Sequence, residues 1–146
     1  MKTTIPFKVL SLDGEGYHLM IKIYINKKVA NVIIDTGASK TVLDKTRIAN
    51  YVKEKNFDVH DKLSSGLGTN TMESQLTTLK SLRIGDIEIP DYQTVLLDLS
   101  HVNNSYEQIG LKQVEGVLGS DILLKYKAVI DYPKQELRLT YNKKKR

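Results

Sequence analysis

The chain has 146 residues, 40% of them hydrophobic and 27% charged, with a net charge of +5 and no cysteine. These values fit one soluble globular domain spanning residues 1–146. They exclude disulfides, thiolate metal sites and a cysteine nucleophile, and a zero cysteine count mildly favours a reducing compartment.

The first sixteen residues, "MKTTIPFKVLSLDGEG", carry charge and Pro6 early and lack a long apolar stretch, so they read neither as a signal peptide nor as a membrane anchor. "IPFKVL" predicts a strand that Pro6 keeps at a sheet edge. "YHLMIKIYI" (Tyr17 to Ile25) alternates, which predicts a strand with Tyr17, Leu19, Ile21, Ile23 and Ile25 on one buried face. "NKK" turns it into "VANVIID" (Val29 to Asp35), whose consecutive apolar residues suit a strand buried on both faces. In "LDKTRIANYVKEKNF", Asp44 reads as an N-cap. Ile48, Tyr51 and Val52 at i, i+3, i+4 then predict a short helix.

"DKLSSGLGTNTMESQLTTLKSLRI" reads as a long hairpin with a polar, glycine-rich tip at Ser64 to Thr71. "LRIGDIEI" predicts a tight hairpin turned at Gly85-Asp86. "YQTVLLDLS" predicts a further strand, and "SHVNNSYEQIGLKQ" a loop with one helical stretch. In "VEGVLGSDILLKY" an apolar pair sits between Gly116 and Gly119, and Ser120 or Asp121 is placed to cap a short helix. "KAVIDYPKQELRLTY" predicts a closing hairpin turned at Tyr132 to Gln135. The sum is mostly β with two or three short helices, which points to a closed or partly closed barrel. The basic end, "NKKKR" (Asn142 to Arg146), reads as a solvated tail. The other basic residues are scattered, against a nucleic-acid surface.

The chemistry concentrates in "NVIIDTGASKTVLD" (Asn31 to Asp44). A buried strand delivers the Asp35 carboxylate to its end, Thr36 adds a hydroxyl, and Gly37 permits a sharp turn and close approach. An isolated Asp-x-Gly closes an ordinary turn in most proteins. The longer string, an apolar triplet, then D-T-G-A-S, then Val42-Leu43, is more specific. With "VEGVLGSDILLKYKAVIDYPKQELRL" later in the chain, it resembles the retropepsin-like aspartic proteases. The likeness runs from about Tyr17 to Leu139. The glycine-tipped hairpin around "SGLGTNT" sits where that family carries its flap.

The resemblance implies an all-β fold, a small, mostly antiparallel closed barrel of the acid-protease type. It implies that Val117 and Leu118 pack under the Asp35 loop, with Gly116 and Gly119 allowing close strand passage. It implies peptide-bond hydrolysis in which two carboxylates share a proton and activate a water. The chain holds one D-T-G, so a working site requires a homodimer with Asp35 from each subunit. Asp35, Thr36 and Gly37 would form the catalytic loop. Ala38 and the flap residues Gly66, Leu67 and Gly68 would contact a peptide or protein substrate. No cofactor, metal, nucleic acid or membrane is implied, and the expected location is cytoplasmic. Ala38, where family members vary between Ser and Ala, implies a dyad working nearer neutral pH.

Asp131 lacks the Thr-Gly sequel and is assigned to a turn. His18, His60 and His101 show no metal-ligand spacing. No G-x-S-x-G, G-x-G-x-x-G or Walker loop occurs. Two alternatives stay open: a non-catalytic module using the same barrel to bind a peptide or partner, and a scaffold in which Asp35 only caps a turn.

Overall fold

The computed structural model describes residues 1–53, 58–59 and 74–142. Eleven strands are assigned among them: β1 (Lys2–Pro6), β2 (Lys8–Ser11), β3 (Tyr17–Ile25), β4 (Lys28–Ile34), β5 (Val42–Asp44), β6 (Asp58–Val59), β7 (Gln75–Ile84), β8 (Ile87–Leu97), β9 (Gly116–Leu118), β10 (Val129–Asp131) and β11 (Glu136–Thr140). Two α-helices join them, α1 (Ser100–Gln108) and α2 (Ser120–Lys125). The all-β expectation holds.

Six strands close a barrel in the order β3, β4, β9, β5, β8, β7, and β7 returns to β3 through Ile25 opposite Leu82. The β4–β9 and β5–β8 pairings are parallel, and the rest are antiparallel. Closure leaves no free edge among those six strands, which removes a route to aggregation. Outside the barrel, β1, β11 and β10 form a three-stranded sheet in that order. Pro6 ends β1 at the edge of this sheet, where its missing N–H costs no ladder bond.

The interior is aliphatic. Ile21, Ile23 and Ile25 of β3, Val32 of β4 and Leu118 of β9 are almost completely buried in one cluster with Leu79, Leu96 and Leu137. Burying one such side chain stabilises the fold by about 1.5–3 kcal/mol. Tyr17, by contrast, is 67% exposed, because it lies beyond the last β3–β4 pair, Leu19 with Ile34. The consecutive apolar run on β4 has a clear cause. Val32 and Ile34 point into the barrel, whereas Ile33 points out into a second cluster with Met20, Tyr106 and Val114. Helix α1 covers that outer face, so the end of β4, Val32 to Ile34, is buried on both sides, as its composition predicts.

Two helix expectations need correction. The segment after Asp44 forms a single 3-10 turn at Ile48–Asn50, with Arg47 and not Asp44 at its N-terminus. Asp44 is instead a buried strand residue whose Oδ1 accepts from the backbone N–H of Leu99 at 3.0 Å and of Thr46 at 3.3 Å. It thereby anchors the entrance to α1. Neither Ser120 nor Asp121 caps α2, because Gly119 occupies that position. The tight hairpin at Gly85-Asp86 is present, but β8 runs unbroken through Pro90 and absorbs the separate strand expected after it. The 64–71 hairpin tip lies outside the described residues.

Candidate active site

Asp35 follows the last residue of β4. Its backbone N–H donates to Leu118 O on β9 at 3.0 Å, extending the β4–β9 ladder by one bond. The chain then turns: Ala38 N–H donates to Asp35 O at 3.1 Å, and Gly37 N–H donates to Asp35 Oδ1 at 2.9 Å. A backbone donor thus fixes one carboxylate oxygen, and the rest of the group stays exposed together with Thr36 and Gly37. Ala38 is half-buried.

Strand β9 threads between β4 and β5, and its glycines set the spacing. A Cβ on Gly116 would lie 2.4 Å from Val42 O, and one on Gly119 would lie 2.6 Å from Lys40 O and 2.9 Å from Ala38 O. Gly116 and Gly119 permit close passage as expected, and Leu118 is fully buried in the barrel cluster; Val117, expected beside it under the loop, is half-buried and lines the groove at Asp35. Ser120 N–H donates to Ala38 O at 2.7 Å, tying the far end of the loop to α2.

A second layer escaped the sequence reading. Thr41, buried, donates its N–H and hydroxyl to Asp121 Oδ1 at 2.9 and 2.8 Å, and its Oγ1 accepts from Gly119 N–H at 3.0 Å. Tyr92 joins this cluster through its hydroxyl. Burial, followed by the charge of Asp121, pushes that hydroxyl up to about 12. No local pattern signals this pairing, because Thr41 and Asp121 stand 80 positions apart. Below β9, Glu115 is buried and accepts from Arg47 Nε and Nη2 at 3.0 and 2.7 Å and from Asn31 N–H at 2.8 Å. This network fastens β4 to the segment entering β9.

Asp35 and Thr36 open onto a groove of about 340 Å³. Its other walls come from Tyr17 and His18 at the start of β3, Val102 and Tyr106 of α1, and the turn after β10. Of the four loop residues singled out from sequence, Asp35 and Thr36 line this groove, and Gly37 and Ala38 follow them in the same turn. Gly66, Leu67 and Gly68 lie outside the described residues. Asp131, assigned to a turn, is instead the last residue of β10, opposite Glu136, and only its side chain reaches the turn that follows: its Oδ1 accepts from Lys134 N–H at 3.0 Å and its Oδ2 from Arg138 Nη1 at 2.9 Å.

The family profile described as "Aspartyl protease" matches residues 21–122. The chain belongs to the aspartyl protease family. The solved structures similar to it agree on the fold. A retropepsin-like aspartic protease from Rickettsia conorii superposes with a TM-score of 0.58 at 21% identity, covering 97% of this chain and 90% of that one. The retroviral protease-like domain of Ddi1 from Leishmania major gives 0.55 at 14% identity, covering 84% and 87%. EIAV protease complexed with the inhibitor HBY-793 gives 0.51 at 17% identity, covering 80% and 93%. A curated relative, a probable DNA-directed RNA polymerase from Agaricus bitorquis, is 26% identical over 148 residues, which span 92% of this chain and 13% of the relative's length. This aspartyl protease chain thus carries a retropepsin-like barrel with its D-T-G loop exposed at a groove. Among the described residues, no helix is long and apolar enough to cross a membrane.

Proposed function

We propose that the chain is an aspartic endopeptidase that acts as a homodimer, with Asp35 of each subunit facing its twin across a two-fold axis. The observation that carries this reading is the Asp35 loop itself. One carboxylate oxygen is held by Gly37 N–H, the loop is pinned by β9 and α2, and yet Asp35, Thr36 and Gly37 are exposed in the single chain. A group so firmly placed and so open suits one half of a site that a second copy completes.

In the dimer the two carboxylates share one proton, because two like charges at such close range cannot both ionise. The ionised member takes a proton from a water as that water attacks the scissile carbonyl. The protonated member donates a hydrogen bond to the carbonyl oxygen. Acid–base chemistry of this kind needs no metal or cofactor. Thr36 hydroxyls would bond across the axis and fix the two loops. An extended peptide would lie along the groove, with Ala38 beside the dyad and Gly66, Leu67 and Gly68 closing over it. Ala38 offers no side-chain hydroxyl to the outer carboxylate oxygen, so the ionised form gains no support there and the rate maximum lies toward neutral pH. A maximum below about pH 4, near the ordinary Asp value, would contradict that part of the reading.

The test is cleavage of an unbiased peptide library by wild type and by Asp35→Asn, with the mass in solution measured alongside. Wild type cuts as a dimer, and Asp35→Asn folds but does not cut. Equal cutting by both chains would end the proposal. A folded monomer that cuts nothing at any concentration would favour the binding module.

A further inference from the structure

His18 stands where the Asp35 groove meets α1. In the β3–β4 register Leu19 faces Ile34, so His18 lies one step further along, level with Asp35 on the neighbouring strand. It is half-buried and lines the groove with Asp35, Thr36 and Tyr106. Its Nδ1 is hydrogen-bonded to the hydroxyl of Tyr106, a residue 2% exposed that packs against Met20, Ile33 and Val114. Among the described residues that hydroxyl has no second partner.

A buried phenol must place its O–H on an acceptor. With no other acceptor beside it among the described residues, the O–H is assigned to Nδ1, which puts the neutral imidazole's proton on Nε2. Burial holds the Tyr106 hydroxyl up at about 12, so it stays a phenol. When the imidazole gains a proton, Nδ1–H donates to the phenol oxygen instead. The pair survives in both states, and Nε2 is a donor in both.

We propose that His18 is a specificity-determining residue: it presents a fixed Nε2–H donor to the Asp35 groove and, when protonated, selects an acidic side chain of the bound peptide. This inference rests on the endopeptidase reading. The titratable groups facing His18 are Tyr106 from α1, Tyr17 beside it on β3, Tyr132 after β10 and Asp35 after β4, while β2 sets Leu10 opposite it. Asp35 is the one carboxylate among them, and it is committed to the dyad. Among the described residues, no Lys or Arg lines the groove. The imidazolium is therefore the one cation there among the described residues. A substrate Glu gains a charge-assisted bond from it, where Gln makes only a neutral one.

The test compares matched peptides that carry Glu or Gln at each position in turn around a cleaved bond, at about pH 5.5 and about pH 7.5. The Glu-to-Gln ratio of kcat/KM cancels the dyad's own pH dependence. For wild type, one position should prefer Glu by about five- to ten-fold at the lower pH, the scale of one charge-assisted bond, and the preference should fade at the higher pH. His18→Gln, which can still accept from Tyr106 but cannot titrate, should cut the Gln peptides and show no pH-dependent preference. His18→Leu should behave alike wherever it folds. Wild type without an acidic preference, or His18→Gln retaining one, would overturn the inference and leave the endopeptidase reading intact. A folded His18→Gln that cuts nothing would also overturn it, since His18 would then belong to the reaction itself. The absence of any Asp35-dependent cleavage would overturn both.

Discussion

Gly119→Ala tests the coupling between strand passage and the Asp35 loop. The new methyl carbon would lie 2.6 Å from both C and O of Lys40 and 2.9 Å from Ala38 O, where ordinary contacts start at 3.4 Å. These are backbone atoms, so no side-chain rotation relieves the overlap. Either residues 38–40 or the start of α2 must move by about 0.8 Å, and overpacking of this kind costs about 1–3 kcal/mol. The same shift strains the Ser120 N–H to Ala38 O bond and the Gly119 N–H to Thr41 bond, which hold the loop from behind. At about 2 kcal/mol, the urea midpoint should fall by roughly 1 M, given slopes of about 1–3 kcal/mol/M. The thermal midpoint should fall by about 4–8 °C. Urea unfolding followed by circular dichroism measures the first, and calorimetry the second. An unchanged midpoint would show that the loop and β9 are not packed as described, and the argument for a rigidly held Asp35 would go with it.

Glu115→Ala should destabilise the fold by about 2 kcal/mol, since it removes charge-assisted bonds to Arg47 and the partner of Asn31 N–H. Arg47 is 30% exposed and can rehydrate, which keeps the loss below that of a fully buried pair; denaturant titration reads it. Asp131 should titrate below its ordinary value of 3.8, because the Arg138 hydrogen bond, then the Lys134 N–H, favour its charged form. Its folded value lies below its unfolded one, so its contribution to stability is present above the ordinary carboxylate range and is lost as pH falls through the folded value. Carboxyl-detected NMR should show that midpoint, and Arg138→Gln should move it up.

Much of this architecture is legible in the chain. The alternation in β3 from Ile21 onward, the turn at Gly85-Asp86 and the closing hairpin depend on neighbours in sequence, and each appears where local pattern puts it. The Asp35 loop is legible for the same reason, since four consecutive residues carry it. What escaped depends on distant pairings. Asp44 looks like a helix cap because short-range rules favour Asp there, but its partner Leu99 lies 55 residues away. The 3-10 turn at Ile48–Asn50 keeps Ile48 buried as an α-helix would, so apolar spacing alone does not separate the two. Thr41 with Asp121, and His18 with Tyr106, come together only when β9 threads the barrel and α1 folds over β4. Scattered histidines carry no spacing signal when the partner of one of them is a tyrosine on another element.

The central claim is that each active site is built from two chains. It is tested most directly by mixing a fixed amount of wild type with increasing Asp35→Asn chain, at concentrations where the protein is dimeric. If both carboxylates are needed, random exchange puts wild-type subunits into dead heterodimers. Activity per wild-type chain should then fall to about half at equal amounts and continue toward zero. Activity that stays constant as the inactive chain is added would mean that one chain suffices, and the two-fold dyad would be wrong.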